Sequence, residues 1–343
     1  MVDAIREEAR LQHAYLSEPL ETIYFGGGTP SLLTKEQLGK LLETFQELFD
    51  VAADAEITLE ANPDDINETI LAGWRELGIN RLSIGIQSFF EEDLQWMNRA
   101  HHASQAIDCI ELAKKAGIHN SSIDLIYGSP GLTDEKWQAN IDKAIALGVP
   151  HLSCYALTVE PKTALAKMID TNRSPNVDPD AQARQFAMLT QSLAAAGFEH
   201  YEISNFAKPG FRSRHNSSYW QGKQYLGLGP SAHSFNGVSR QWNIANNALY
   251  IQNIQSGSPV YEIEILTPTQ QINEYVMTAL RTIEGISLDK IITTWGEAEK
   301  ERILAAAKKY LRSATLYQRD GQLGLTEQGK FLADGIAADL FAG

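Results

Sequence analysis

Short apolar runs alternate with longer stretches of helical spacing through the first two hundred residues. Thr22-Ile23-Tyr24-Phe25 is β-branched and aromatic and stops at Gly26-Gly27-Gly28-Thr29-Pro30, which predicts a buried strand over residues 23–25 ending in a bare glycine loop. Thr34 and Gln37 then have the spacing of a capping box. Leu38, Leu41, Leu42, Phe45 and Leu48 recur on one face, so the helix covers residues 34–49. Further strands are expected over residues 57–60, 81–86, 122–127, 151–157 and 198–203. The helices between the later strands close at Gly78, Gly117, Gly148 and Gly197, each followed at once by an apolar residue. Glycine just past a helix end, with a strand behind it, repeats as βα units and predicts an α/β fold with a parallel sheet. The pattern alone does not separate a barrel from a doubly wound sheet. Residues 2–16 read as an amphipathic helix with Ile5, Ala9 and Leu16 inside and its charges outside. A helix-first opening predicts that an earlier parallel strand is missing.

From Ile203 to about Pro259 the periodicity fades into Ser-Asn, Lys-Pro-Gly, His-Asn-Ser-Ser-Tyr-Trp and Gly-Leu-Gly-Pro phrases. Such a long loop-rich segment in a compact protein is expected to be functional. Helical spacing resumes at Thr267, and residues 315–317 and 323–325 flank an Asp320-Gly321 turn before a last helix from Thr326. The expected organisation is a partial barrel over residues 1–205, a loop-rich segment over 206–265 and a winged-helix-like domain over 266–343.

Composition narrows the partners. A net charge of −14 disfavours a nucleic acid gripped by its phosphates and an anionic membrane surface. No apolar run reaches membrane-spanning length and the start lacks a signal-peptide pattern, so a cytoplasmic protein is expected. Two cysteines, Cys109 and Cys154, fit a reducing compartment without a disulfide framework.

Polar residues collect where the strands end: Glu60 and Asn62, Gln87 and Ser88, and Asp124, with Arg99 following in Asn-Arg-Ala-His. Carboxyl ends of parallel strands face the ligand crevice of such folds. Taken singly, Glu60 is equally a surface charge and Asp124 equally a buried acid paired with a backbone donor. The glycine loop is also compatible with anion binding at a helix start, although it lacks the lysine that phosphate loops usually carry.

The phrases Tyr-Phe-Gly-Gly-Gly-Thr-Pro-Ser, Thr-Leu-Glu-Ala-Asn-Pro, Gly-Ile-Gln-Ser-Phe, Asn-Arg-Ala-His and Ile-Asp-Leu-Ile-Tyr-Gly occur in this order. Together they resemble the oxygen-independent coproporphyrinogen oxidase-like branch of the radical S-adenosylmethionine (SAM) proteins. The resemblance runs from about Leu20 to the winged end. It implies an open six-stranded parallel (β/α)6-type partial barrel and a SAM pocket lined by Gly27, Gly28, Thr29, Glu60, Gln87, Arg99 and Asp124, with Ala156 on the adenine side. Arg99 would pair with the methionine carboxylate.

Family members carry Cys-x-x-x-Cys-x-x-Cys after their first strand, the ligands of a [4Fe–4S] cluster. That phrase does not occur in this sequence, so a shortened start and no radical chemistry are expected, with SAM held weakly. Two functions compete within the branch. One is the dehydrogenase that decarboxylates coproporphyrinogen propionates; the other is a heme chaperone that passes heme to acceptor proteins. His215-Asn216-Ser217-Ser218-Tyr219 resembles the His-Asn-x-x-Tyr motif of the chaperones. That resemblance implies heme bound by His215, Asn216 and Tyr219, with His215 as the iron ligand on a loop.

Overall fold

The computed structural model describes all residues from Met1 to Gly343. Its contacts divide the chain into two units, one of Ile23–Lys35 and Glu56–Ser213, the other of Met1–Thr22, Glu36–Ala55 and Arg214–Gly343.

A seven-stranded sheet is built from β1 (Leu20–Phe25), β2 (Val51–Ala61), β3 (Arg81–Gln87), β4 (Asn120–Tyr127), β5 (His151–Ala156), β6 (Glu199–Glu202) and β7 (Asn205–Ala207). Their order is β1-β2-β3-β4-β5-β7-β6, with β2 to β5 paired in parallel. Successive side chains of a strand point to opposite faces. On one face Ile57 and Leu59, Leu82 and Ile84, Ile123 and Leu125, and Leu152 and Cys154 are buried. They form the core with the apolar stripes of the intervening helices, among them Leu71, Trp74, Ile110, Trp137, Ile141 and Leu189.

The opposite face is polar. Thr58, Arg81 and Asn120 share one rung of the parallel ladder. Glu60, Ser83, Ser122 and His151 share the next, and Asp124 pairs in register with Ser153 beyond it. His151 Nδ1 lies 2.7 Å from Ser122 Oγ and its Nε2 lies 2.7 Å from the Tyr201 hydroxyl. Burial, and then the nearby Arg81 cation, hold His151 neutral.

Four helix ends fall where the glycines place them. The helices Glu68–Glu76, Ala103–Lys115, Asp134–Ala146 and Pro179–Ala195 stop just before Gly78, Gly117, Gly148 and Gly197, all at positive φ between 63° and 85°. The last strand differs from expectation. The segment expected to add one parallel strand turns back at Ile203-Ser204, and β7 inserts antiparallel between β5 and β6. Asn205 secures it by accepting from Ser153 Oγ at 3.0 Å and donating to Glu202 at 2.6 Å.

In the other unit the first helix is shorter than its periodicity indicates, Val2–Leu11, followed by a 3-10 turn at His13–Tyr15. Ala4 packs with Tyr250, Ile254 and Val260, with Ile5 against them. Leu16 lies beyond the helix, and Glu8, expected outside, is buried. The segment expected to be loop-rich carries regular structure. It contains the helix Arg214–Trp220, then β8 (His233–Phe235), β9 (Ser239–Asn243), the helix Asn247–Ser256 and β10 (Tyr261–Ile265). These strands form an antiparallel sheet, β10-β9-β8.

Toward the end, Thr267 and Gln270 form a reciprocal cap on the helix Pro268–Leu280. A three-stranded sheet, β11 (Ile286–Ser287), β12 (Leu316–Arg319) and β13 (Gln322–Leu325), has order β11-β13-β12. Its hairpin turns at Asp320 and Gly321, both at positive φ (51° and 75°), as a type I′ turn requires. With the helices Leu288–Trp295 and Glu297–Arg312 this makes the winged-helix-like arrangement.

Candidate functional site

The strand ends of the first unit bring most of the expected residues together. Gly26 is closed in: a Cβ there would meet the Tyr24 ring at 2.5 Å and a Glu60 carboxylate oxygen at 2.8 Å. Gly27 takes φ +77° and donates its N–H to Glu60 Oε2 at 3.2 Å. At Gly27 and Gly28 an added Cβ would meet nothing within 4 Å, so the protein leaves space there. Thr29 ends the loop, its carbonyl accepting from Leu32 at 3.1 Å. The Tyr24 hydroxyl donates to Glu60 Oε1 at 2.7 Å and fixes the carboxylate. Burial and the adjoining Glu60 charge raise the phenol far above its ordinary range, so Tyr24 stays a donor.

Arg99 follows the helix Glu91–Trp96 and reaches back to the sheet. Its Nη2 donates to Asn62 Oδ1 at 2.9 Å and to the Gly85 carbonyl at 3.3 Å. Its Nε is buried with no protein partner. Gln87 sits at φ +66°, just past a register shift in the β3–β4 ladder. Glycine at 85 lets both side chains cross, since a Cβ there would meet Gln87 Nε2 at 3.1 Å and Arg99 Nη2 at 3.3 Å. A left-handed non-glycine residue at a strand end is strain that clusters at ligand sites.

Asp124 completes the group. Burial and then the Glu60 charge raise its carboxyl to about 7, against the neighbouring Ser153 hydroxyl and the Arg81 and Arg99 cations, which lower it. The site thus carries two carboxyls in one field, with a guanidinium beside them. Ala156 stands apart, in register with Tyr127, three residues beyond the Asp124–Ser153 pair and about 10 Å along the strand. Tyr24, Gly85 and Ser153 are the residues that sequence reasoning missed. Period-two alternation places Ser153 on the face of Asp124's neighbours, the one signal that could have found it.

His215, Asn216 and Tyr219 lie in the other unit, on the helix Arg214–Trp220 rather than on a loop. Gly222, at φ +70°, ends that helix. Its N–H donates to the Tyr219 carbonyl and the Lys223 N–H to the Ser218 carbonyl, which is a Schellman motif. The helical turn puts His215 and Tyr219 on one face, with ring centroids 4.9 Å apart at 86°. His215 Nδ1 is 2.8 Å from Thr22 Oγ1, and Nε2 is 3.0 Å from the Tyr219 hydroxyl. Asn216 is half-buried and points about 100° away around the helix from His215. Tyr225 stacks edge-on against Tyr219 at 4.6 Å, and Phe235 follows it at 6.2 Å. Burial raises the Tyr219 phenol to about 12, so it is neutral at physiological pH.

Cys109 lies inside the helix Ala103–Lys115 and Cys154 on β5; both are buried. Burial raises the Cys109 thiol to about 12 and the Cys154 thiol well above its usual range. Two protonated thiols on separate elements do not fit a [4Fe–4S] cluster, and no set of three or more His, Cys, Asp or Glu side chains is gathered to hold a metal ion.

A glycine loop, two acids and an arginine thus gather at the ends of these strands. Residues 2–144 match the radical SAM superfamily and residues 266–332 match the HemN C-terminal domain. The chain is 37% identical over 339 residues to the heme chaperone HemW of Mycobacterium tuberculosis, covering 98% of this chain and 85% of that one. It is 32% identical to heme chaperone HemW of Bacillus subtilis, covering 98% and 89%. The chain belongs to the HemW family of radical SAM proteins. In fold it is similar to coproporphyrinogen III oxidase (HemN) of Escherichia coli, with a TM-score of 0.85 at 23% identity, covering 99% of this chain and 82% of that one. The partial-barrel architecture agrees with that likeness.

Proposed function

We propose that this chain is a heme carrier that takes up heme at the His215 helix and passes it to an acceptor protein. The observation that carries the reading is the setting of His215. Its Nδ1 is oriented by Thr22, its Nε2 faces Tyr219, and the helix carrying them is ended by a glycine motif. Neutral imidazole is a common axial ligand of heme iron, and a hydrogen bond on the second nitrogen fixes which one ligates. Ligation by Nε2 selects the tautomer in which Nδ1–H donates to Thr22 Oγ1. No helix of the structure is long and apolar enough to cross a membrane.

The strand-end site fits SAM on this reading. Arg99 Nε has no protein partner, and the space over Gly27 and Gly28 admits the backbone-sized methionine part. Arg99 would hold the cofactor carboxylate, Glu60 its ammonium, and Asp124 and Gln87 further polar groups, with Thr29 at the loop end and Ala156 beside the adenine. When bound, SAM supplies an adenosyl group attached to a sulfonium.

Titration of heme into the protein, followed at the Soret band, tests the reading. A defined, saturable shift is expected, and His215→Ala should abolish or strongly weaken it. Identical titrations of the two proteins would overturn it.

A further inference from the structure

We infer that the Tyr219 hydroxyl is a displaceable occupant of the ligand position at His215, which lowers the affinity for heme so that heme can be released. The inference rests on the heme-carrier reading and adds the control of that site.

Three observations carry it. The Tyr219 hydroxyl lies 3.0 Å from His215 Nε2, the nitrogen that faces away from Thr22. Iron approaching Nε2 must take the place of that oxygen, whichever of the two atoms carries the proton. The contact is built in, because the i, i+4 spacing on a helix holds the two rings edge-on at 4.9 Å. The phenol is reachable from solvent: Tyr219 is 38% exposed, and the ring of Tyr225 backs its other side at 4.6 Å.

The neighbouring cations offer little to compensate. Lys223 pairs with Glu21 at 2.6 Å and Arg214 with Asp54 at 3.2 Å. Heme propionates would have to compete with those carboxylates, so the iron–imidazole bond carries more of the affinity, and that bond is opposed by Tyr219. A carrier needs this arrangement, since cargo held too tightly is not passed on. The hydrogen bond re-forms as iron leaves and offsets part of the cost of release.

Heme titrations of the full chain, Tyr219→Phe and His215→Ala test this, with heme release measured by transfer to excess apomyoglobin. Phenylalanine keeps the ring against Tyr225 and removes only the oxygen. Tyr219→Phe should bind heme about twofold to tenfold more tightly, the range given by one hydrogen bond of ordinary net strength, and should release it more slowly. Without heme, nitrogen NMR should show the His215 Nε2 signal shifted by Tyr219→Phe. Equal or weaker binding by Tyr219→Phe, with His215→Ala still defective, would overturn this inference and leave the carrier reading standing. A His215→Ala titration matching that of the unaltered chain would instead remove the carrier reading itself.

Discussion

The Tyr250 hydroxyl donates a 2.5 Å hydrogen bond to the carboxylate of Glu8, a side chain with no exposed surface. The same carboxylate accepts from the Gly229 N–H at 2.8 Å and from Asn243 Nδ2 at 2.6 Å. A buried acid is tolerable only when its oxygens are satisfied in this way. Glu8 therefore ties the first helix to the Gly229 turn, to β9 and to the Asn247–Ser256 helix.

Removing one donor should be costly. Tyr250→Phe is expected to lower stability by about 1–3 kcal/mol, the usual penalty for a buried acceptor losing its partner. Denaturant unfolding measures it. The pH dependence has a definite sign. Burial raises the folded-state carboxyl of Glu8 above its ordinary 4.5, although its hydrogen bonds lower it in part. Its contribution is therefore full below about 4.5 and declines as pH rises through the higher folded value. Glu8→Gln should lack this decline, so the stability of the unaltered chain relative to Glu8→Gln falls over that window.

Asp124 titrates near 7, raised from 3.8, so it is largely protonated at pH 6 and ionised at pH 8. A cationic ligand at the strand ends favours the ionised acid. SAM should bind about tenfold more tightly at pH 8 than at pH 6, provided that only the ionised form binds. Asp124→Asn should give a flat profile in calorimetry. A flat profile in the unaltered chain would mean that Asp124 does not face the ligand.

The glycine loop separates internal need from ligand need. Gly26→Ala should destabilise the protein by about 1–3 kcal/mol, because the methyl group meets Tyr24 and Glu60. Gly28→Ala meets nothing and should leave the melting temperature unchanged while weakening SAM. Arg99→Ala should weaken SAM roughly tenfold to a hundredfold, the span of a hydrogen bond to a charged group. Unchanged binding by both Gly28→Ala and Arg99→Ala would place the methionine part elsewhere.

Helix ends were legible because Gly78, Gly117, Gly148 and Gly197 each act through the local backbone. The strand-end acids were legible because a polar residue closing an apolar run is a local signal too. What escaped depends on distant partners. Periodicity places Glu8 outside, and the groups that bring it inside lie 221 to 242 positions away. The strand β7 is three residues long and exists through its pairing with β5 and β6. His215 sits among turn-forming Asn and Ser residues, so Gly222 was the available sign of a helix there.

The alternation of the parallel strands divides their positions into two classes that tolerate change by different rules. At Leu59, Leu82, Ile123 or Leu152 a replacement succeeds or fails on volume, and a similar aliphatic chain will serve. At Ser122 or His151, next to them in the chain, size matters less than matching donors to acceptors, so altering one obliges its rung neighbour to change as well. Divergence along these strands is therefore expected to proceed one residue at a time on one face and in coupled sets on the other.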